Sequence, residues 1–345
     1  MTWMPLLLAD PSPSLRLLVL RELLNRPGED TEVCELVELQ ETDPLISDLL
    51  ELQQADGSWG SGDLAGNAPG GKIQATAQVL TRFGYLGQGT DHPAVARAAA
   101  FLFSQQNADG SWPIPETYGD GDEESSDAAM IPLQTAVPLR GLAACGYATV
   151  PNAERGYEWL LAQRLEDGAW PTGTKEGNLR GVGGYRRLAH SRWGCRTNTT
   201  AALICLAYHP RRRVSIEAQR ALDMLLARET RDQHNIGFEV ARTIGLEPAS
   251  GYLTFFARFD LALVLDLCWR VGASKADERV NDLAAYIQRL QGAYGLWGYA
   301  RQPQASRWVT FDLLRSLSCL DEEGDWVSLE PRTPFRAYTR EKRRF

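Results

Sequence analysis

Three aspartates stand where a carboxylic acid could do chemistry. Asp260 and Asp312 each follow a phenylalanine at the expected start of an apolar helix, in Arg258-Phe259-Asp260 and Thr310-Phe311-Asp312. Asp127 ends the acidic run DGDEESSD (120–127), where a third such helix begins. A carboxyl group kept protonated by burial can donate its proton to an alkene or an epoxide. The plainer reading of all three is negative charge at a helix N-terminus, where a dipole and free N–H groups favour the ionised form. Arg258 or Arg307 would then pair with Asp260 or Asp312.

A second cluster suits an anion. Residues 171–196 carry Lys175, Arg180, Arg186, Arg187, Arg192 and Arg196 against the single acid Glu176, with Tyr185 and Trp193 among glycines. Guanidinium forks and aromatic faces together fit a carboxylate or diphosphate head group. Phe259, Trp308 and Phe311, with Trp269, would line a cavity for an apolar tail. Against this, residues 116–127 hold six acids and no base, so the two loops could simply pair with one another. No metal and no cofactor are expected. The chain has four histidines and no C-x-x-C, and Asp266-Leu-Cys268 has no histidine after it to complete a zinc set. Cys195, between Arg192 and Arg196, reads as a buried thiol before a reactive one.

The elements that must position these groups come from a repeat. QQADGSWG (53–60), QQNADGSWP (105–113), QRLEDGAWP (163–171) and QGAYGLWGY (291–299) all place a glycine two residues before a tryptophan. Successive tryptophans are 53, 58 and 127 residues apart, so one degenerate copy belongs in the last gap. Gly237-Phe238 sits there, and Phe238 is expected to replace the tryptophan. Each motif follows an amphipathic stretch, such as HPAVARAAAFLFSQQ, and precedes a more apolar one: 73–85, 128–147, 197–208, 259–272 and 308–320. The repeating unit is therefore outer helix, Gly-x-Trp turn, long loop, inner helix and short turn. The glutamine and tryptophan are expected to staple adjacent units. The long loops (60–72, 113–127, 171–194, 235–254) would share one face, the usual place for function on a rigid scaffold.

The Q-x(3–5)-D-G-x-W pattern resembles the repeats of squalene–hopene and oxidosqualene cyclases and those of protein prenyltransferase β subunits. The opening LLLADPSPSLRLLVLRELLNRP and the segment ASRWVTFDLLRSL also look like single-domain bacterial cyclase-like proteins of similar length. The resemblance implies an all-α chain: a single α/α toroid of about five to six inner and outer helix pairs with an N-terminal helical arm. Boundaries are expected at 1–43 for the arm, 44–325 for the toroid and 326–345 for a basic tail. It also implies an isoprenoid-type apolar small molecule as ligand or substrate. The activity would be that of a terpene cyclase (isomerase or lyase) or a prenyltransferase. Yet the D-x-D-D of proton-initiated cyclases and the D-D-x-x-D of diphosphate-ionising synthases are both missing. A non-catalytic toroid that binds a hydrophobic ligand or a protein partner therefore stays beside the enzyme reading. A carbohydrate-active toroid is a lesser third.

Composition bounds the rest. The 345 residues carry 36 basic and 44 acidic side chains, a net charge of −8, which speaks against nucleic-acid binding. Residues 1–56 hold 12 acids and 3 bases, hence −9, while residues 332–345 hold six bases and one acid, hence +5. That tail is compatible with weak contact to an anionic lipid surface. No apolar stretch reaches the roughly 20 residues of a transmembrane helix, and no leader is apparent. A cytoplasmic protein with free thiols is expected.

Overall fold

The computed structural model describes residues 2–64, 71–113, 132–173, 186–188, 190–227, 234–248, 256 and 259–323. The chain opens with α1 (Met4–Leu8), α2 (Pro13–Leu18), a π-helical turn (Val19–Leu23) and α3 (Thr31–Gln40). Helices then alternate: α4 (Pro44–Leu52), α5 (Gly71–Tyr85), α6 (Pro93–Ser104), α7 (Pro132–Ala144), α8 (Pro151–Ala162), α9 (Arg196–Tyr208) and α10 (Ile216–Leu226). Next come β1 (His234–Asn235), a short α11 (Phe238–Thr243), β2 (Phe259–Asp260), α12 (Leu261–Val271), α13 (Glu278–Arg289) and α14 (Ala305–Cys319). Several helices begin at proline, which suits a first helical position because its missing N–H would be unpaired there anyway.

The fold is all-α, an α/α toroid. The inner layer is α5, α7, α9, α12 and α14, each packed on the next. The ring closes where Tyr85 of α5 meets Trp308 of α14, with ring centroids 6.1 Å apart. Outer helices α6, α8, α10 and α13 pack on α5, α7, α9 and α12 respectively. Inner helices are buried nearly all round, residues 196–207 of α9 without a break, which explains their small and apolar composition. The arm folds onto the seam. α2 packs on α3, and the π-helical turn packs on α14. Gln40 donates to the Leu86 carbonyl at 2.7 Å, and Arg307 pairs with Asp10 at 3.0 Å.

The repeat motif is a hydrogen-bonded knot. Each buried tryptophan donates its indole N–H to the carbonyl ten residues earlier: Trp59 to Leu49, Trp112 to Leu102, Trp170 to Leu160 and Trp297 to Ile287, at 2.7–2.8 Å. Its backbone N–H goes forward to a threonine hydroxyl on the next inner helix: Thr76, Thr135, Thr199 and Thr310, at 2.9–3.2 Å. One residue thereby ties an outer helix to its inner partner. The glutamine adds the bond between units. Gln53 donates to Gly57 O and to Ala94 O on α6; Gln106 donates to Gly110 O and to Asn152 O on α8. The turn glycine must be glycine. Gly110 has φ +96°, and a Cβ there would lie 2.4 Å from the Arg155 carbonyl oxygen.

Replacing Thr135 with valine keeps the volume but leaves the buried Trp112 N–H unpaired. Urea unfolding should show a loss of about 1–3 kcal/mol. Trp112→Ala removes the indole itself and should cost more, about 3–5 kcal/mol. An unchanged midpoint for Thr135→Val would mean that the knot does not hold the two layers together.

Candidate functional site

The fourth copy of the motif departs from the knot, and the centre of the ring follows from that departure. Gly237 keeps the left-handed turn, with φ +82°. Two residues on, at the tryptophan's position, stands Glu239. Its backbone N–H donates to Asp260 Oδ2 at 2.7 Å, so a carboxylate replaces the threonine hydroxyl of the other copies. Phe238 does not replace the tryptophan. It is half-buried, with the Arg242 and Arg301 guanidiniums 5.5 and 5.7 Å from its ring centre. The chain instead forms α11, which packs on α5, α12 and α14. From α11, Glu239 reaches Arg140 on α7. α11 thus bridges across four members of the inner ring.

The interior around α11 is charged. Glu239 bonds both Arg140 and Arg242. Beside them, Arg315 pairs with Asp312 and with Glu22 of the arm, and lies 3.6 Å from Asp266. Asp266 also accepts from Arg270 Nε at 2.7 Å and from the Trp269 indole at 3.1 Å. Two small cavities open within this network. Arg82, Arg140, Glu239, Arg242, Thr243 and Glu247 contribute to the first; Tyr85, Tyr208, Glu239, Leu263, Asp312 and Arg315 contribute to the second. Each admits water-sized molecules over about 30 Å³, room for roughly two waters. Among the described residues, no three His, Cys, Asp or Glu side chains are grouped to hold a metal ion.

The expected acids differ in setting. Asp127 lies outside the described residues. Asp260 caps α12 and accepts three backbone N–H groups, from Gly237, Glu239 and Ala262, at 2.7–3.1 Å. Burial raises its pKa, and those three donors oppose the rise. A carboxylate saturated by donors is a structural acceptor, poorly placed to release a proton. Asp312 does not begin its helix, as its sequence context suggested, but lies well inside α14. Burial pushes its carboxyl up to about 7, with Arg315 opposing and Asp266 adding to the rise. In Asp266, burial is outweighed by Arg270 and Arg315, and the pKa falls.

The expected ligand-binding residues are only partly brought together. Tyr185 lies outside the described residues. Arg187 and Arg192 are exposed, Arg186 and Trp193 half-buried, and Arg192 lies over Trp193 at 4.8 Å. Arg196 is buried and stacks on Phe259 at 4.5 Å. Phe259, Trp308 and Phe311 are buried in the core, and neither cavity is lined by them. Cys195 is a free, buried thiol. Residues that matter at the centre but went unselected are Arg82, Arg140, Glu239, Arg242, Arg270 and Arg315. For the arginines on inner helices the one signal was a charge inside an otherwise apolar stretch, as at Arg140 in AVPLRGLA; Glu239 and Arg242 lie on α11 and carried no such signal.

Such a ring of paired helices with tryptophan knots defines a class of α/α toroid proteins. Residues 35–186 match the model of the squalene–hopene cyclase C-terminal domain. The squalene–hopene cyclase of Bradyrhizobium diazoefficiens is 31% identical over 159 residues, 43% of this chain and 23% of that protein. Human lanosterol synthase is 33% identical over 137 residues, 38% of this chain and 17% of that one. The chain thus spans less than a quarter of the length of these relatives. Among solved structures, the type II terpene cyclase MstE from Scytonema superposes with a TM-score of 0.49 and 16% identity, covering 80% of this chain and 71% of MstE. Over residues 35–186 the chain is thus similar to the C-terminal domain of squalene–hopene cyclases. Among the described residues, no helix is long and apolar enough to cross a membrane.

The raised pKa of Asp312 sets a pH dependence. The unfolded chain holds this proton only below about 4, whereas the folded protein holds it up to about 7. The Asp312 contribution to stability is therefore greatest below pH 4 and declines as pH rises to 7. The wild-type stability minus that of Asp312→Asn, from urea unfolding, should fall across pH 4–7 and level off above. A difference that rises with pH would reverse the assignment.

Proposed function

We propose that this terpene cyclase-like chain binds a ligand at its centre and does not cyclise an isoprenoid. One observation carries the reading: among the described residues, the cavities around α11 are small and lined by guanidinium and carboxylate groups. Pockets for drug-sized molecules run to about 300–1,000 Å³, far above the water-sized room here. A hydrocarbon seated on Arg140, Glu239 or Arg315 would also strip those charges of water and return no hydrogen bond. Cyclisation passes through carbocations. Two positive charges 4 Å apart repel by about 4 kcal/mol at an effective dielectric of 20, so arginines facing the cavity oppose such an intermediate. Aromatic faces would favour it, but Phe259, Trp308 and Phe311 are buried away from both cavities, and Tyr85 and Tyr208 line the second one beside Arg140 and Arg315.

A second reading, acid-initiated chemistry on an isoprenoid-type molecule, is favoured by Asp312 alone. This buried carboxyl is partly protonated near neutral pH and lines the second cavity beside Tyr85, Tyr208 and Leu263.

One experiment separates the two. The purified protein is incubated with squalene and with geranylgeranyl diphosphate, then extracted and examined by gas chromatography with mass spectrometry. Unchanged starting material is expected. A cyclised hydrocarbon would sink the binding reading, and Asp312→Asn should then cut product formation by about 10²–10⁴-fold.

A further inference from the structure

All five inner helices and α11 contribute to the wall of the second cavity. Its charges are answered within the chain. Arg140 pairs with Glu239, Arg315 with Asp312 and Glu22, and Asp266 with Arg270. An ion brought into that balance would add a charge with no counterpart. Its hydrogen bonds, by contrast, are incomplete. The Tyr85 hydroxyl, the Arg140 Nε and the Arg315 Nε are buried on this one wall, and none has a hydrogen-bond partner among the described residues. Buried donors are almost always paired, because an unpaired one gives up its bond to water for nothing.

The neighbours of these three atoms hold them in place without satisfying them. Arg315 is only 7% exposed, and its terminal nitrogens are taken by Asp312 and Glu22. Its guanidinium carbon lies 5.7 Å from the centre of the Tyr85 ring, whose other neighbour is Trp308. A terminal nitrogen of Arg140 is taken by Glu239. Burial, with Asp312 adding to it, keeps the Tyr85 phenol well above its ordinary pKa, so the oxygen retains its proton. A guanidinium Nε only donates, and a phenol that keeps its proton donates as well. The wall therefore offers three donors and calls for an acceptor that brings no charge.

We propose that the second cavity binds a neutral oxygen acceptor, a carbonyl or hydroxyl group, through the Tyr85 hydroxyl and the Nε–H groups of Arg140 and Arg315. The room of about 30 Å³, roughly two waters, holds that group and its nearest carbon. Val240 and Leu263 on the same wall suit the carbon. The oxygen belongs either to a free small molecule or to the end of a longer isoprenoid-type alcohol. This proposal deepens the reading of the centre as a ligand site and rests on it.

Saturation-transfer NMR, which reads weak binding, tests it with four probes: formamide, geraniol, geranate (the matching carboxylate) and myrcene, a ten-carbon hydrocarbon without oxygen. Formamide or geraniol should bind saturably, with geranate and myrcene at least tenfold weaker than the one that binds. Binding of formamide would point to a free small molecule; binding of geraniol alone would point to the oxygen end of a longer chain. Tyr85→Phe deletes only the hydroxyl and should weaken binding by about five- to tenfold. The same variant should unfold at the wild-type temperature or above, because the lost hydroxyl has no bond in the free protein. A lowered midpoint would mean that the hydroxyl is already paired, and would overturn the proposal. So would myrcene or geranate binding as well as geraniol, no binding by either neutral oxygen probe, or unchanged affinity in Tyr85→Phe. Cyclised product in the isoprenoid assay would sink the binding reading and leave the Tyr85→Phe comparison standing, so the two can fail separately.

Discussion

The indole N–H of a buried tryptophan, bonded to a carbonyl ten residues earlier, is the constraint on which this toroid depends. The bond holds the turn against the outer helix, and the neighbouring backbone N–H holds it against the inner one. Neither partner can shift without leaving a buried donor unpaired, which costs more than an ordinary hydrogen bond returns. Because the geometry recurs at Trp59, Trp112, Trp170 and Trp297, the inner helices are presented to one another at a repeated offset, and a ring results. The glutamine bonds of Gln53 and Gln106 then link the first two units to the outer helices that follow them.

Where the knot is rewritten, the interior changes character. At the fourth copy Glu239 takes the tryptophan's place and Asp260 the threonine's. The backbone bond survives with a carboxylate as acceptor, but no indole remains to fill the space between the layers. The chain forms α11 instead, and a glutamate enters the ring with it. Arginines from α7 and from α11 itself answer that charge. A buried ion pair of this kind adds little stability over an apolar filling, yet losing one partner is costly because the other is stranded. Such a network resists drift and keeps the centre polar.

The same logic connects the arm to the centre. Glu22, on the π-helical turn, reaches Arg315 of α14, which in turn binds Asp312 and approaches Asp266. The strongly acidic N-terminal segment is thus more than a solvated coat: one of its acids joins the charges at the seam of the ring. Asp10 does the same further out, with Arg307.

The repeat, the helix order and the concentric layering were legible in the sequence, because a glycine two residues before a tryptophan and a switch from amphipathic to apolar helices are local signals. Expected inner helices at 73–85 and 197–208 correspond to Gly71–Tyr85 and Arg196–Tyr208. The site was much less legible. Asp260 was visible as a helix cap, but its bonds to Gly237 and Glu239 join residues more than twenty positions apart. Phe238 looked like the substitute for tryptophan because it is aromatic, yet register gives that place to Glu239. Phe259, Trp308 and Phe311 were correctly apolar, but only packing could turn them into the core and leave Arg82, Arg140 and Arg242 facing the cavity. What the sequence by itself determined was the class of scaffold, since periodicity and turn chemistry act over a few residues. What the tertiary structure decided was the chemistry of the centre, since burial and charge pairing are set by which helices meet across the ring.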